Sequence, residues 1–168
     1  MSDLHVSWDD YHRNIEQLAV KVHASGWEFD HIVCIARGGL RIGDVFSRIF
    51  KLPLAILFTQ SYVEDHGTVR GEIAISQHIA TTANRLGPRV LLVDDLVDSG
   101  VTLDAVHTHL RKAHPHIREM KTAVIWWKAV SRFKPDYHLL YLVDNPWIHQ
   151  PFEPYDSMSI AELLKRQR

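Results

Sequence analysis

Residues 90–103 read VLLVDDLVDSGVTL. The apolar run 90–93 predicts a buried strand, and the turn at Ser99 and Gly100 leads into a helical spacing that begins at Leu103. A strand followed directly by a helix is the building unit of a parallel α/β sheet, and such sheets bind ligands at the carboxyl ends of their strands. The stretch therefore predicts an α/β fold and the edge of the sheet at which a site would lie.

The rest of the chain repeats this alternation of strands and helices. Apolar residues at helical spacing predict helices, and short continuous runs with β-branched residues predict strands. Helices are expected over 8–24, 41–50 and 160–166, and strands over 31–36, 54–59, 89–93, 121–127 and 137–143. The polar residues 60–71 are expected to form a long connector. We predict a mainly parallel central sheet flanked by helices, with right-handed crossovers.

Length and composition set limits on the kind of protein. With 168 residues, of which 46% are hydrophobic, the chain 1–168 is expected to form a single domain. The 19 Lys and Arg residues balance 20 Asp and Glu residues, which argues against a nucleic-acid partner. Apolar runs are too short for a transmembrane segment, and a single cysteine with an acidic start and no signal-peptide pattern favours the cytoplasm.

Two adjacent carboxylates, Asp94 and Asp95, follow the apolar run 90–93. Carboxylates at a strand end accept hydrogen bonds from a ribose diol or hold a hydrated Mg²⁺. The alternative is that the two aspartates merely end the strand.

The residues after this acidic pair suit a phosphate group. Ser99, Gly100, Val101 and Thr102 would present backbone N–H groups, two hydroxyls and the positive end of a helix dipole. Gly100 would let the backbone approach the ligand closely. The alternative is a simple helix cap at Asp98 or Ser99.

This stretch resembles the phosphoribosyl-diphosphate (PRPP) motif of the type I phosphoribosyltransferases. Further segments in the same order are similar to the bacterial xanthine-guanine phosphoribosyltransferases: ARGGL at 36–40, Lys128, and WIHQP at 147–151. The resemblance covers about residues 4–153. It implies the type I phosphoribosyltransferase fold, with a small hood formed by the C-terminal segment at about residues 128–168.

The resemblance also implies roles on the sugar side. Arg37 and Gly38 match a pyrophosphate loop that typically contains a non-proline cis peptide bond. Residues 62–71 match a flexible loop that closes over the reacting centre, and Arg70 within it is expected to contact pyrophosphate. Asp98 matches an aspartate that faces N7 of the purine, which makes it the candidate general base.

On the base side, the lysine that matches Lys128 donates to the exocyclic O6 of the purine. Because an ammonium group only donates hydrogen bonds, it favours a 6-oxopurine over adenine. Trp147 matches an aromatic residue that stacks on the base, and the backbone carbonyl of Ile148 would then face position 2. A solvated lysine and a core tryptophan are the respective alternatives.

We therefore expect an Mg²⁺-dependent enzyme that condenses guanine, xanthine or hypoxanthine with PRPP, and that forms a homodimer or homotetramer. Base preference stays open, because Val101 replaces a frequent glycine and Ala129-Val130 replaces the Pro-Ala of the xanthine-guanine group. The alternatives are a phosphoribosyltransferase for another base, and a regulatory protein of the same fold that senses PRPP or nucleotides.

Overall fold

The computed structural model describes residues 3–63 and 70–167, apart from the side chains of 61–63 and 70–72. Its helices are α1 (Trp8–Ala24), α2 (Leu40–Phe50), α3 (Val101–Ala113), α4 (Pro154–Ser157) and α5 (Ile160–Arg166). Its strands are β1 (Leu4–His5), β2 (His31–Ala36), β3 (Leu54–Val63), β4 (Arg70–Ile75), β5 (Ala80–Thr81), β6 (Arg89–Val97), β7 (Glu119–Lys128), β8 (Tyr137–Leu142) and β9 (Ile148–His149). None of the described helices is both long and apolar enough to cross a bilayer.

The main sheet confirms the expected architecture. Its strands follow the order β4-β3-β2-β6-β7-β8, with β5 paired to β3. The pairs from β3 through β8 along this path are parallel, whereas β4 and β5 run antiparallel to β3. The carboxyl ends of β2, β6 and β7 consequently meet at one edge of the sheet.

Two expected boundaries are wrong. The predicted connector 60–71 is partly strand, because β3 continues to Val63 and pairs with β4 from Arg70. The strand predicted at 89–93 extends to Val97, because its partner β7 supplies a continuous ladder of hydrogen bonds. Asp94 and Asp95 therefore lie within β6 and not after its end.

The central strands are buried because helices cover both faces of the sheet. In β2, Ile32 and Cys34 join the apolar cluster that includes residues of α1 and α2. Val33 and Ile35 alternate with them and join the cluster that includes residues of α3. Burying one such aliphatic side chain is worth about 1.5–3 kcal/mol, so this two-sided core holds the strand ends in place.

The C-terminal part of the chain folds back over the carboxyl edge of the sheet. β9 pairs with β1 in a separate two-stranded parallel sheet. Residues 146–157, which we call the cover segment, include β9 and α4. The expected hood boundary near residue 128 is too early, because residues 137–142 pair with β7 in the main sheet.

Candidate active site

Two helices begin at the carboxyl edge of the sheet without a side-chain cap. α2 starts after Gly39 and α3 after Gly100, and neither helix has a capping side chain. By contrast, α1 has a side-chain cap, because the hydroxyl of Ser7 accepts a hydrogen bond from the N–H of Asp10 at 3.1 Å. Uncapped N-terminal N–H groups carry a partial positive charge and favour anions. The edge therefore offers two anion-binding positions.

The loop between β2 and α2 lies against the acidic pair. The peptide bond between Ala36 and Arg37 is cis, as the resemblance implies. A Cβ at Gly38 would lie 2.5 Å from Oδ1 of Asp95, so glycine allows the loop to contact this carboxylate. Arg37 is exposed, and its Nη2 donates to Oδ1 of Asp156 in the cover segment at 3.0 Å.

Asp94 and Asp95 line a cavity of about 540 Å³ together with Arg37, Gly38 and Thr102. Burial raises the pKa of Asp94 well above its usual value, and the charge of Asp95 raises it further. Burial also raises the pKa of Asp95, against the hydrogen bond from Gln150. Two partly buried carboxylates side by side repel each other and favour a cation between or beside them.

The residues before α3 lie between two cavities. Thr102 lines the cavity with the acidic pair, whereas Ser99 and Val101 line a second cavity of about 620 Å³. Gly100 has a φ of +82°, and a Cβ there would lie 2.5 Å from Oγ of Ser131. Gly100 thus makes room for the neighbouring residues 131–133, and close approach of a ligand to its backbone stays a prediction.

Lys128 and Asp98 form an ion pair beside this turn. Nζ of Lys128 lies 3.4 Å from Oδ1 of Asp98, and the lysine side chain is only 7% exposed. Both residues line the second cavity with Trp147. An ammonium group has three donors, and Asp98 is its one acidic partner among the described residues. A buried cation of this kind requires further acceptors, which a ligand can supply.

Trp147 and Ile148 belong to the cover segment and line a smaller cavity together with Lys128. Trp147 is 60% exposed, so it is not a core residue. Its indole N–H donates to Oε1 of Glu153 at 3.1 Å. The carbonyls of Trp147 and His149 accept hydrogen bonds from the backbone of β1 and the residue after it. Because successive carbonyls of a strand alternate in direction, the carbonyl of Ile148 points away from β1.

Four residues near the site were not among the candidates from the sequence, although one of them, Gln150, lies within the WIHQP segment. Arg41, Phe152 and Asp156 line the cavity with the acidic pair. Gln150 donates from Nε2 to Oδ2 of Asp95 at 2.7 Å. The contact of Gln150 with Asp95 spans 55 positions, so the resemblance at WIHQP draws attention to the segment but not to this contact.

Two sequence expectations lie outside the described residues. These are the side chain of Arg70 and residues 64–69 of the expected flexible loop. Within the described residues no group of three or more His, Cys, Asp and Glu is arranged to hold a metal ion. A metal at this site would therefore be held by Asp94 and Asp95 together with oxygens of a substrate and water, which is how proteins commonly hold Mg²⁺.

Comparison with known proteins agrees with this geometry. The family model described as phosphoribosyl transferase domain matches residues 7–157. A purine phosphoribosyltransferase from Pyrococcus horikoshii is 27% identical with a TM-score of 0.68, over 90% of this chain and 94% of that chain. The xanthine-guanine-hypoxanthine phosphoribosyltransferase of Helicobacter pylori is 25% identical with a TM-score of 0.76, over 98% and 99%. A Neisseria gonorrhoeae protein with bound ppGpp, 23% identical over 100% and 99% with a TM-score of 0.69, shares the fold.

Proposed function

The chain belongs to the phosphoribosyltransferase domain family and is a phosphoribosyltransferase, and from this premise we propose that it joins a 6-oxopurine to the ribose of PRPP. The products are a nucleoside 5′-monophosphate and pyrophosphate. The observation that carries the choice of base is the buried Lys128, paired with Asp98 beside Trp147. Guanine, xanthine and hypoxanthine all carry the oxygen that such a lysine needs.

The choice of base follows from what Lys128 can do chemically. Its ammonium group donates to O6 of an oxopurine, whereas the 6-amino group of adenine offers it no acceptor. An unpaired buried polar group costs about 1–3 kcal/mol, which disfavours adenine. Trp147 stacks on any base and so adds affinity more than selectivity. The carbonyl of Ile148, which points away from β1, is available to a donor at position 2 of the purine.

In this proposal the diphosphate and the 5′-phosphate of PRPP bind the uncapped N-termini of α2 and α3. The 5′-phosphate binds the N–H groups at the start of α3, with the hydroxyls of Ser99 and Thr102. The diphosphate binds the loop of Arg37 and Gly38 at the start of α2, where no acidic residue lies in the first turn. Anchoring both ends of PRPP orients the anomeric carbon toward the base.

Asp94 and Asp95 suit Mg²⁺ and the ribose hydroxyls. The structure describes no cationic side chain within ion-pair distance of either carboxylate, although Asp95 raises the pKa of Asp94. A divalent ion would relieve this repulsion, so the residues fit the group. When bound, Mg²⁺ neutralises charge on the diphosphate leaving group.

In this proposal Asp98 takes a proton from the base. In the reaction a ring nitrogen bonds to the anomeric carbon while the carbon–oxygen bond to diphosphate breaks. The imidazole ring of the purine must lose a proton, and the carboxylate of Asp98 accepts it near N7. Lys128 at 3.4 Å keeps that carboxylate beside the base.

A PRPP-dependent assay with five bases tests the proposal. We expect turnover with at least one of guanine, xanthine and hypoxanthine, and none with adenine or uracil. Lys128→Met should lower kcat/KM for the oxopurine by about 10–100-fold, because a buried charged hydrogen bond is lost. Asp98→Asn should lower kcat with little change in the KM for PRPP. The exposed Lys134, changed to Met, is the matched control.

Efficient use of adenine or uracil would contradict the choice of base. Nucleotide binding without consumption of any base would favour the sensing protein over the proposed reaction. The proposal also includes a cytoplasmic location and a single domain over residues 1–168. It further includes a homodimer or homotetramer, and sedimentation would measure the mass of this assembly.

A further inference from the structure

Gln150 lies in the wall between the base side and the sugar side of the site. It lines a cavity of about 210 Å³ together with Lys128, Trp147 and Ile148. Its Nε2 donates a hydrogen bond to Oδ2 of Asp95 at 2.7 Å. One side chain thus connects the cover segment with the acidic pair of β6.

The carboxylate of Asp95 is held from two directions. Gln150 contacts Oδ2, and the backbone of Gly38 lies so close to Oδ1 that no Cβ could be added without a shift. A carboxylate that is hydrogen-bonded at Oδ2 and has the Gly38 backbone close to Oδ1 has little freedom to rotate. Gln150 therefore determines which way Asp95 presents its remaining lone pairs to a ligand.

The other end of the same amide group lacks a partner. Oε1 of Gln150 is buried and has no hydrogen-bond donor within the described residues. A buried acceptor without a donor is costly, and native structures rarely leave one unpaired. Since Nε2 is committed to Asp95, the amide cannot turn over to satisfy its oxygen. The missing donor is therefore expected from a bound molecule.

We propose that Gln150 is a ribose-binding residue: its amide N–H orients Asp95, and its carbonyl accepts a hydrogen bond from a ribose hydroxyl. The inference rests on the proposed function, in which Asp95 binds the ribose. A ribose hydroxyl is the nearest candidate because the amide group of Gln150 lies beside Asp95, which binds the ribose in the proposed function. The base lies beyond it, between Lys128 and Trp147.

The test compares guanosine 5′-monophosphate (GMP) with 2′-deoxy-GMP and 3′-deoxy-GMP in titration calorimetry. The native protein should bind GMP more tightly than at least one deoxynucleotide. Gln150→Met, which keeps the length but not the hydrogen bonds, should weaken GMP binding by about tenfold. The difference between GMP and that deoxynucleotide should shrink in the variant, because both changes remove the same contact.

Gln17→Met makes the same chemical change on the exposed face of α1 and should alter neither measurement. The melting temperature of Gln150→Met should stay within a few degrees of the native value, because an unpaired buried atom is removed with the bond. The proposal would be overturned if Gln150→Met lowered the affinity for all three nucleotides equally, or if it left the affinity for GMP unchanged. So would equal binding of the three nucleotides by the native protein, whether or not the variant folds.

Turnover of PRPP and base by the native protein separates this inference from the proposed function. If the native protein turns over PRPP and base, but Gln150→Met does not reduce the difference in affinity between GMP and the deoxynucleotides, only the inference is refuted. If the three nucleotides bind with the expected affinities but the native protein shows no turnover, only the proposed reaction is refuted. Failure of the native protein to bind any of the three nucleotides would refute both.

Discussion

The turn at 99–102 and the cover segment at 146–157 build opposite sides of one site in different ways. The turn follows β6 directly and offers backbone N–H groups at the start of α3, fixed by the buried strand before it. The cover segment offers side chains instead, and its described polar contacts to the site join residues far apart in sequence. Gln150 and Asp95 are 55 positions apart, and Arg37 and Asp156 are 119 apart.

A backbone-built anion site and a side-chain-built cover respond differently to substitution. A change in the turn alters the path of the main chain, so it affects binding and folding together. A change in the cover segment removes one contact and leaves the sheet intact. The two parts therefore differ in how strongly a mutation affects ligand binding and in how far that effect can be separated from an effect on folding.

The largest effect is expected from Gly100→Ala. A Cβ at this φ of +82° would lie 2.7 Å from the backbone nitrogen of Phe133, so the turn must move. We expect PRPP and nucleotide binding to weaken by about 100-fold or more, and the free energy of unfolding to fall by about 2–3 kcal/mol. Calorimetry and chemical denaturation measure the two effects.

Gly26→Ala separates backbone strain from crowding at the site. Gly26 also has a positive φ, +70°, but a Cβ there would meet nothing within 4 Å. Gly26→Ala should lower the free energy of unfolding by about 1 kcal/mol and leave ligand affinity unchanged. If Gly100→Ala behaved in the same way, the turn would not be the rigid part of the site.

This contrast also explains which features could be predicted from the sequence. Asp94, Asp98 and Ser99 could be proposed as candidates because a strand, a turn and a helix follow one another within a few residues. The bounds of α1 and β2 were predicted correctly because burial imposes a regular spacing. The end of β6 was predicted too early, because its pairing with β7 outweighs the polar character of its last residues.

The cover segment was much harder to predict. The helix that follows it, Ile160–Arg166, could be predicted from local spacing. However, nothing near Asp156 indicates that it faces Arg37, and nothing near Gln150 indicates that it faces Asp95. Such contacts depend on how the chain returns over the sheet, which local sequence patterns do not encode. The resemblance identified Trp147 and Ile148 only because their motif is recognisable as a unit.

A smaller effect is expected from Asp156→Asn. Asp156 pairs with Arg37, the cation proposed for the diphosphate, and so competes with that ligand. Both side chains are more than half exposed, at 55% and 83%, and exposed pairs are worth at most about 1 kcal/mol. The KM for PRPP should therefore fall by about two- to fourfold, and the gain should vanish at high salt.

Asp44→Asn provides the matched control for this substitution. Asp44 pairs with Arg48 on α2 at 2.9 Å, with exposures of 54% and 75%, but neither residue lines the cavity that contains Arg37. Its loss should leave the KM for PRPP unchanged. An equal fall in both variants would mean that overall charge, and not the contact with Arg37, controls PRPP affinity.

The smallest effect is a pH dependence within the cover segment. Nε2 of His149 lies 3.1 Å from Oδ2 of Asp3, and Nδ1 lies 3.3 Å from Oε2 of Glu153. The hydrogen bond to Asp3, followed by the charge of Glu153, raises the pKa of His149 above its usual 6.5. Folding therefore favours the protonated form. The associated stability is fully present below the usual pKa and is lost as pH rises through the raised one.

Between pH 6 and pH 8 the native melting temperature should consequently fall by about 1–2 °C more than that of His149→Gln. Because Glu153 also holds the indole of Trp147, the KM for the base should rise over the same range in the native protein only. His78 is exposed, and His78→Gln should keep the native pH profile. Identical profiles for His149→Gln and the native protein would show that the cover segment is held without this proton.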